Sequence, residues 1–417
     1  MSRTPKKRPE RLAPVPDAAL DAWVPNRPLT AGDVDDVMRR FKKALLERAL
    51  GAELTHHLGY PVGAARPDDA TNQRNGTSRK TVLTDDGSVG LDIPRDRDNT
   101  FAPQLMPKHA RRFTGFDDKI VALYGRGLTV REIQAFLAEM YAVDVSPDLI
   151  STVTDAVVAE VTAWQARPLD PMYPVVFFDA LRVKVRDEAV VRSKAVYLAL
   201  AIRRDGTRDI LGIWVEQTEG AKFWLRVFND LKSRGGEDIL IGVTDGLKGL
   251  GEALAVAYPA TTHQTCVVHL IRRSLDLAGS RDRKALASAL RTIYKAPSAE
   301  AAAAALDALA AGPWGARFPT IIKAWRAAWP QIIPFFAFPP EVRRIIYTTN
   351  ALESVNARVR KIIKTRGHFP TDEAAIKLIY LALRNITAAW ARPSPYWRAA
   401  LHQFAILYDD RFCQGST

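Results

Sequence analysis

The run Val175-Val-Phe-Phe-Asp-Ala-Leu-Arg-Val-Lys-Val185 narrows the fold more than any other segment of the chain. Read with the two-residue period of a strand, its odd positions are Val175, Phe177, Asp179, Leu181, Val183 and Val185. One apolar strand face therefore carries a single acid, while the even positions turn basic at Arg182 and Lys184. A lone ionised carboxylate on a buried face is strongly disfavoured unless it is paired or binds a cation. Asp179 is thus a candidate for work, against the plainer reading of a strand acid paired with an arginine. If further acids converge on it, the site suits a hard divalent metal and phosphoryl-transfer chemistry.

The chain has 417 residues, room for several domains, with 47% apolar and 25% charged residues, as in ordinary globular proteins. Its 59 Lys and Arg against 46 Asp and Glu leave a net charge of +13, which favours a polyanionic partner, nucleic acid first. No apolar run reaches the length of a membrane span, and the basic, Pro-rich start is not a secretory signal. Two cysteines, Cys266 and Cys413, exclude a disulfide framework and fit a reducing cytoplasm.

Residues 1–28 read as a disordered basic tail, either a solvated end or an arm that touches phosphates. Over 29–115 the pattern predicts a helix and a small hairpin. Thr30 caps the helix, Val34, Val37, Phe41 and Leu45 form its stripe, and Gly51 stops it. Two strands flank Asp85-Asp-Gly87. Residues 116–168 predict three helices, the second after Thr129 and the third opened by Ser146-Pro147. That order resembles a helix-turn-helix DNA reader, with a plain three-helix bundle as the alternative. From 169 to 280 come strands at 174–186, 194–203 and 209–217, a helix at 221–232, a strand at 238–245 and a short strand after His263. Residues 281–340 are an Ala-rich helical insertion, and 341–417 return to the core with a helix from Ala351 and further C-terminal helices. Three strands, helix, strand, helix, strand, helical insertion, helix is the order of an α/β ribonuclease H-like catalytic core, here preceded by a mainly helical N-terminal DNA-binding region.

Two further acids stand out. Asp245 ends the continuous apolar run Asp238-Ile-Leu-Ile-Gly-Val-Thr, the edge at which open α/β sheets bind ligands; Asp-Gly is equally an ordinary turn. Glu353 fits the capping-box position after Asn350, yet Arg358, Arg360, Lys361, Lys364 and Arg366 follow it, which suits an acid beside a phosphate track.

At these residues the sequence resembles the Mutator-type bacterial insertion-sequence transposases, a family of Asp-Asp-Glu transposases. The strings that carry the resemblance are Arg74-Asn-Gly, Pro94-Arg-Asp-Arg, Arg167-Pro-Leu-Asp, Phe178-Asp-Ala, Glu219-Gly-Ala-Lys-Phe-Trp, Asp245-Gly-Leu-Lys-Gly, Cys266-Val-Val-His-Leu-Ile-Arg and Tyr347-Thr-Thr-Asn-Ala-Leu-Glu-Ser. They run in the family's order from about residue 50 to about 410. The resemblance implies a ribonuclease H-like core whose catalytic and metal-holding acids are Asp179, Asp245 and Glu353. It implies two Mg²⁺ ions, with Mn²⁺ as a substitute, and cleavage and strand transfer at terminal inverted repeats of double-stranded DNA and at target DNA. Pairing two element ends implies a homodimer or higher assembly on DNA, in the cytoplasm and associated with the nucleoid, with no membrane partner.

The family's Cys-x-x-His signature maps onto Cys266 and His269. His263, Cys266 and His269 also have faint metal spacing. Without a Cys-x-x-Cys the pattern argues against structural zinc and for His269 beside the active site, contacting DNA or supporting an acid. Trp325 and Trp329 share a helix face and read as core packing, with a platform for an unstacked base as the alternative. Arg343, Arg344, Arg358, Lys361 and Lys364 are candidate phosphate contacts. Two rivals stand beside the transposase: a structure-specific nuclease on the same core, and a DNA-binding regulator without chemistry.

Overall fold

The structure is a computed structural model. It describes residues 16, 20–21, 23–24, 27–68, 70–84, 87–141, 143–347, 350–388, 390, 392–393 and 396–413, without the side chains of 114, 350–353 and 413. Most of the expected tail at 1–28 lies outside the described residues, as do Asp85 and Asp86 of the hairpin turn. The side chains of Glu353 and of its expected cap Asn350 lie outside them too. The chain divides into two compact units, Met1–Val121 with Val130–Ile150, and Ala122–Thr129 with Ser151–Thr417.

The first unit opens with helix α1 (Ala31–Leu58). Thr30 caps it as expected, within a capping box closed by Asp33. The helix does not stop at Gly51. Leu50 and Leu54, four residues apart, are buried, and that burial outweighs the roughly 1 kcal/mol a mid-helix glycine costs. The stop comes at Gly59, which takes the left-handed conformation at φ 80°. The expected stripe is also turned around: Val34, Phe41 and Leu45 are exposed, and the buried face is the one through Leu50 and Leu54. Strands β1 (Arg74–Thr84) and β2 (Gly87–Asp96) pair antiparallel and close a small core of Leu50, Val82, Val89, Leu91, Ile93 and Met106.

Arg74 and Asp96, from two of the quoted strings, are structural hubs here. Arg74 donates to the Tyr60 carbonyl at 2.6 Å and the Thr55 hydroxyl at 3.0 Å. Asp96 is buried, and one of its oxygens accepts from Asn72 Nδ2 (2.7 Å), Thr100 N (2.9 Å), Thr100 Oγ1 (2.6 Å) and Phe101 N (3.1 Å). Burial alone would raise this carboxyl, but the donors outweigh it and hold the group well below the usual carboxylate range.

Helices α2 (Thr114–Gly125), α3 (Val130–Tyr141) and α4 (Pro147–Gln165) follow where the three-helix pattern put them. Ser146 caps α4 by accepting from Leu149 N at 3.1 Å.

The second unit is built on a mixed five-stranded sheet in the order β5-β4-β3-β6-β7. Strands β3 (Met172–Asp187), β4 (Val190–Ile202) and β5 (Arg208–Glu216) form the expected antiparallel meander. Its second turn needs Gly206 at φ 83°, where a Cβ would strike the Trp397 ring. Helix α5 (Ala221–Ser233) then leads to β6 (Asp238–Thr244), which lies parallel to β3. Helix α6 (Leu250–Ala257) leads to β7 (Thr262–Thr265), parallel to β6. Phe178, Tyr197, Phe223, Trp224, Phe228 and Tyr258 fill the interface of α5 and α6 with the sheet.

Helix α7 (Val267–Asp276) leaves β7. The expected helical insertion is α8 (Ser280–Tyr294), α9 (Ala299–Ala311), α10 (Pro313–Arg317), α11 (Pro319–Ile332) and a 3₁₀ turn (Ile333–Ala337). Ile345 and Ile346 lie in α12 (Pro340–Tyr347). Then come α13 (Asn350–Lys364), α14 (Asp372–Thr387) and α15 (Trp397–Cys413). Phe369 pairs with the end of β3 through hydrogen bonds to Lys184 O and from Arg186 N, both 2.8 Å, which fixes the chain after α13 against the sheet.

Trp325 of α11 has no solvent exposure, and its indole donates to Ser274 Oγ on α7 at 2.9 Å. The insertion is thereby anchored to the helix that leaves β7. Trp325→Leu is expected to lower stability by about 3 kcal/mol through the cavity and the lost hydrogen bond, measured by urea denaturation. Asp96→Ala, which takes the shared acceptor from four donors, is expected to cost about 3 kcal/mol at pH 7. Because the folded-state pKa of Asp96 is depressed, its contribution is present above the unfolded pKa. The gap between wild type and Asp96→Ala should therefore narrow as the pH falls below about 4.

Candidate active site

β3 is the central strand of the sheet, and from Met172 to Asp179 every side chain is buried on both faces. Beyond Asp179 the strand alternates, with Arg182 and Lys184 exposed. Asp179 is the last acid-bearing position before the strand reaches solvent, and it is only 3% exposed. Its Oδ1 accepts the Ala180 backbone NH at 2.7 Å, and its Oδ2 accepts the side-chain amide of Asn356 from α13. Burial pushes this carboxyl above its ordinary range; His269 opposes the push and Asp245 adds to it.

Asp245 directly follows β6, whose parallel pairing with β3 matches Phe178 to Thr244. Asp179, within β3, and Asp245, just past the C-terminal end of β6, thus stand on neighbouring strands at the same level of the sheet. Gly246 takes φ 68° and turns the chain away. Arg273 of α7 reaches back to Asp245, donating to its carboxylate at 3.0 Å and its carbonyl at 3.3 Å.

The start of α7 is fixed by the sheet. Cys266 N donates to Thr244 O at 2.7 Å, extending the β6–β7 ladder by one bond, and Cys266 sits at the N-cap. One turn on, His269 lies between the acids, Nε2 at 3.9 Å from Asp179 Oδ2 and Nδ1 at 3.6 Å from Asp245 Oδ1. Among the described residues, Asp179, Asp245 and His269 form the group able to share a metal ion, with one ligand atom each within 4.8 Å of the others. The donor chemistry fits a divalent cation: two carboxylates and an imidazole converge in a largely buried spot. His269 Nδ1 and Asn356 Oδ1 are buried there without a hydrogen-bond partner, as expected of groups arranged for a further occupant.

The Cys-x-x-His spacing therefore has a division of labour. Cys266 is buried and its thiol is pushed up to about 11, chiefly by burial, so it stays protonated and anchors the helix start. His269 faces the acids. His263 points elsewhere, with Nε2 3.0 Å from Thr244 Oγ1.

The third acid, Glu353, lies on α13 three residues before Asn356, and its side chain is outside the described residues. On the same helix Val355, Asn356, Val359 and Ile363 are buried, and Arg358, Arg360, Lys361 and Lys364 are exposed, so one face meets the core and the other carries positive charge. Arg343 is placed differently from a phosphate contact. It is buried, and its guanidinium donates to the carbonyls of Phe338, Ala296 and Pro297 at 2.5, 2.8 and 2.9 Å, which ties α12 to the insertion. Arg344 lies over the Tyr396 ring at 3.5 Å. Trp325 is enclosed, and Trp329 is half-buried with its ring 6.3 Å from Phe336.

Asn356 and Arg273 escaped the sequence reading. Each had a spacing signal: Asn356 is one turn past Glu353, and Arg273 is one turn past His269.

The comparisons with known proteins turn up insertion-sequence transposases. A probable transposase for an ISRM3-like insertion sequence element of Sinorhizobium fredii is 55% identical over 378 residues, 91% of this chain and 94% of its own. The transposase for insertion sequence element ISRM3 of Rhizobium meliloti is 54% identical over the same shares. A probable insertion-sequence transposase of Corynebacterium diphtheriae is 46% identical over 339 residues, 77% of this chain and 99% of its own. The family model described as "Transposase, Mutator family" matches residues 19–393, and the chain belongs to that family.

Proposed function

We propose that this chain is the transposase of an insertion sequence. It binds the terminal inverted repeats of its element and carries out metal-dependent DNA strand cleavage and strand transfer. The observation that carries the reading is the convergence of Asp179, Asp245 and His269 at one level of the sheet, with the helix of Glu353 holding Asp179 through Asn356. Three antiparallel strands followed by two parallel ones, with Asp179 on the central strand and Asp245 just past the end of its parallel neighbour, support a ribonuclease H-like core. Residues 281–340 would be its insertion and 341–417 its final part, with 169–280 the first. Residues 29–115 and 116–168 would contribute DNA binding, the latter through its helix-turn-helix-like order, and residues 1–28 an arm to phosphates. The protein would act in the cytoplasm on the nucleoid, as a homodimer or higher assembly on DNA.

Asp179 and Asp245, joined by Glu353, would hold the cations, Mg²⁺ or Mn²⁺ in its place. Bound there, two such ions supply Lewis-acid activation of an oxygen nucleophile and charge stabilisation of the leaving oxygen. The protein's own groups do the arranging. Asn356 and the Ala180 NH fix both oxygens of Asp179, and Arg273 holds Asp245. His269, with one ring nitrogen facing each acid, orients the pair. The exposed cations Arg358, Lys361 and Lys364 on α13 would track the DNA backbone beside the acids, with Arg344 nearby in sequence on α12.

The reading is tested with purified protein, labelled element ends and Mg²⁺. Wild type is expected to nick and join the ends, and Asp179→Asn to do neither. An Asp179→Asn protein that cleaves and joins at the wild-type rate would overturn the assignment. Removing the buried charge is also expected to leave folding intact while abolishing the rise in melting temperature that Mg²⁺ or Mn²⁺ gives the wild type. Asn356→Leu is expected to slow cleavage by about 10–100-fold and to raise the Mn²⁺ concentration needed for half-maximal rate. A purely structural asparagine would leave that concentration unchanged.

A further inference from the structure

Helix α1 is apolar on two sides; among the described residues one packs on the hairpin and the other is largely exposed. Lys43, Leu46, Glu47, Leu50 and Leu54 lie on the side that meets the hairpin. Leu50 is fully buried in its core, Leu46 packs against it, Lys43 donates to Gly90 O at 2.7 Å, and Glu47 accepts from Asp92 N at 2.7 Å. At about 100° per residue, Val34, Met38, Phe41 and Leu45 point to the opposite side. They are 46%, 57%, 44% and 56% exposed. Their steps of four, three and four are those of a coiled-coil seam, d-a-d-a, over nearly two heptads. Trp23 stands edge-on to Phe41 at 5.4 Å, and Leu20 and Val24 beside it are also exposed.

The charges along α1 say what fits. Its first part carries Asp33, Asp35 and Asp36, and its second Arg39, Arg40, Lys42 and Lys43. A copy of the same helix laid parallel sets like charge on like. Laid antiparallel, it sets the acidic part of each helix against the basic part of the other. The seam then closes on itself, Val34 against Leu45 and Met38 against Phe41 of the second copy, and conversely. Asp35 and Lys42, both at e positions, face each other across it twice.

We propose that the exposed face of α1 is a self-association surface, and that a second copy of this chain binds it antiparallel about a two-fold axis between Met38 and Phe41. A two-fold contact of this kind is closed and self-complementary, so it makes a dimer and no filament. Four seam layers bury less than the roughly 1,200 Å² at which standing dimers begin, so the contact alone is weak, in the micromolar range. Two copies held on paired DNA ends would strengthen it through local concentration. The inference deepens the expectation of a dimer in the proposed function and uses no part of the catalytic reading.

The test is sedimentation velocity on the full chain without DNA or metal, over about 1 to 100 µM. Wild type is expected to pass from monomer to dimer across that range. Phe41→Glu combined with Leu45→Glu is expected to weaken the dimer by at least tenfold at an unchanged melting temperature, since both positions are exposed. Asp35→Lys and Lys42→Glu are each expected to weaken it, and the two together to restore it. A wild type that stays monomeric throughout, or a dimer that Phe41→Glu with Leu45→Glu leaves intact, overturns the surface. A charge swap that fails to restore association overturns the antiparallel arrangement. Because these readouts are hydrodynamic, loss of cleavage activity would not be mistaken for failure of the surface.

Discussion

The buried carboxylate of Asp179 is the constraint around which the second unit is organised. An acid in the middle strand of a sheet covered on both faces is costly unless its charge is met. The fold meets it with one backbone NH, one side-chain amide and one imidazole, each from a different part of the chain. Sheet, α7 and α13 therefore have to assemble together for the site to exist. Burial still raises the carboxyl, which is the signature of a group left short of positive charge. A divalent cation would supply what is missing.

Helix α7 links the chemistry to the rest of the unit. Its first residues continue the sheet ladder through Cys266 N, its first turn presents His269, its second presents Arg273, and its far side takes the Trp325 indole through Ser274. The helical insertion, although remote in sequence from β3, thus sets the position of a ring that touches both acids. Arg343 performs the matching task at the other end, locking α12 to the chain between α8 and α9 just before α13 begins. The same insertion separates Asp245 from Glu353 in the sequence and braces the helices that bear their neighbours.

Much of this was legible before any coordinates. The odd-position face of Val175–Val185 announced a strand with one misplaced acid, and the continuous apolar run to Asp245 announced a second buried strand. Ser146-Pro147 and Thr30 marked helix starts because caps are local chemistry. What failed to show was whatever depends on contacts distant in sequence. The end of α1 was misjudged because Gly51 is a local signal, and the hairpin that buries Leu50 and Leu54 is not. The apolar stripe of α1 has helical spacing but gives no sign of which of two apolar sides the fold covers. Arg343 sits in a basic run and looks like a surface cation, and only the carbonyls of Ala296 and Pro297 reveal it as an internal tie. Asn356 is invisible by type, since an asparagine on a helix becomes meaningful only when a buried carboxylate stands against it.

The central claim is that the pocket at Asp179 and Asp245 is a cation site. Anomalous diffraction from crystals of the full chain soaked in Mn²⁺ tests it most directly. The account predicts an anomalous peak coordinated by oxygens of both aspartates, with Glu353 turned toward it. Crystals saturated with Mn²⁺ that show no peak between those carboxylates, with or without a bound element end, would contradict it.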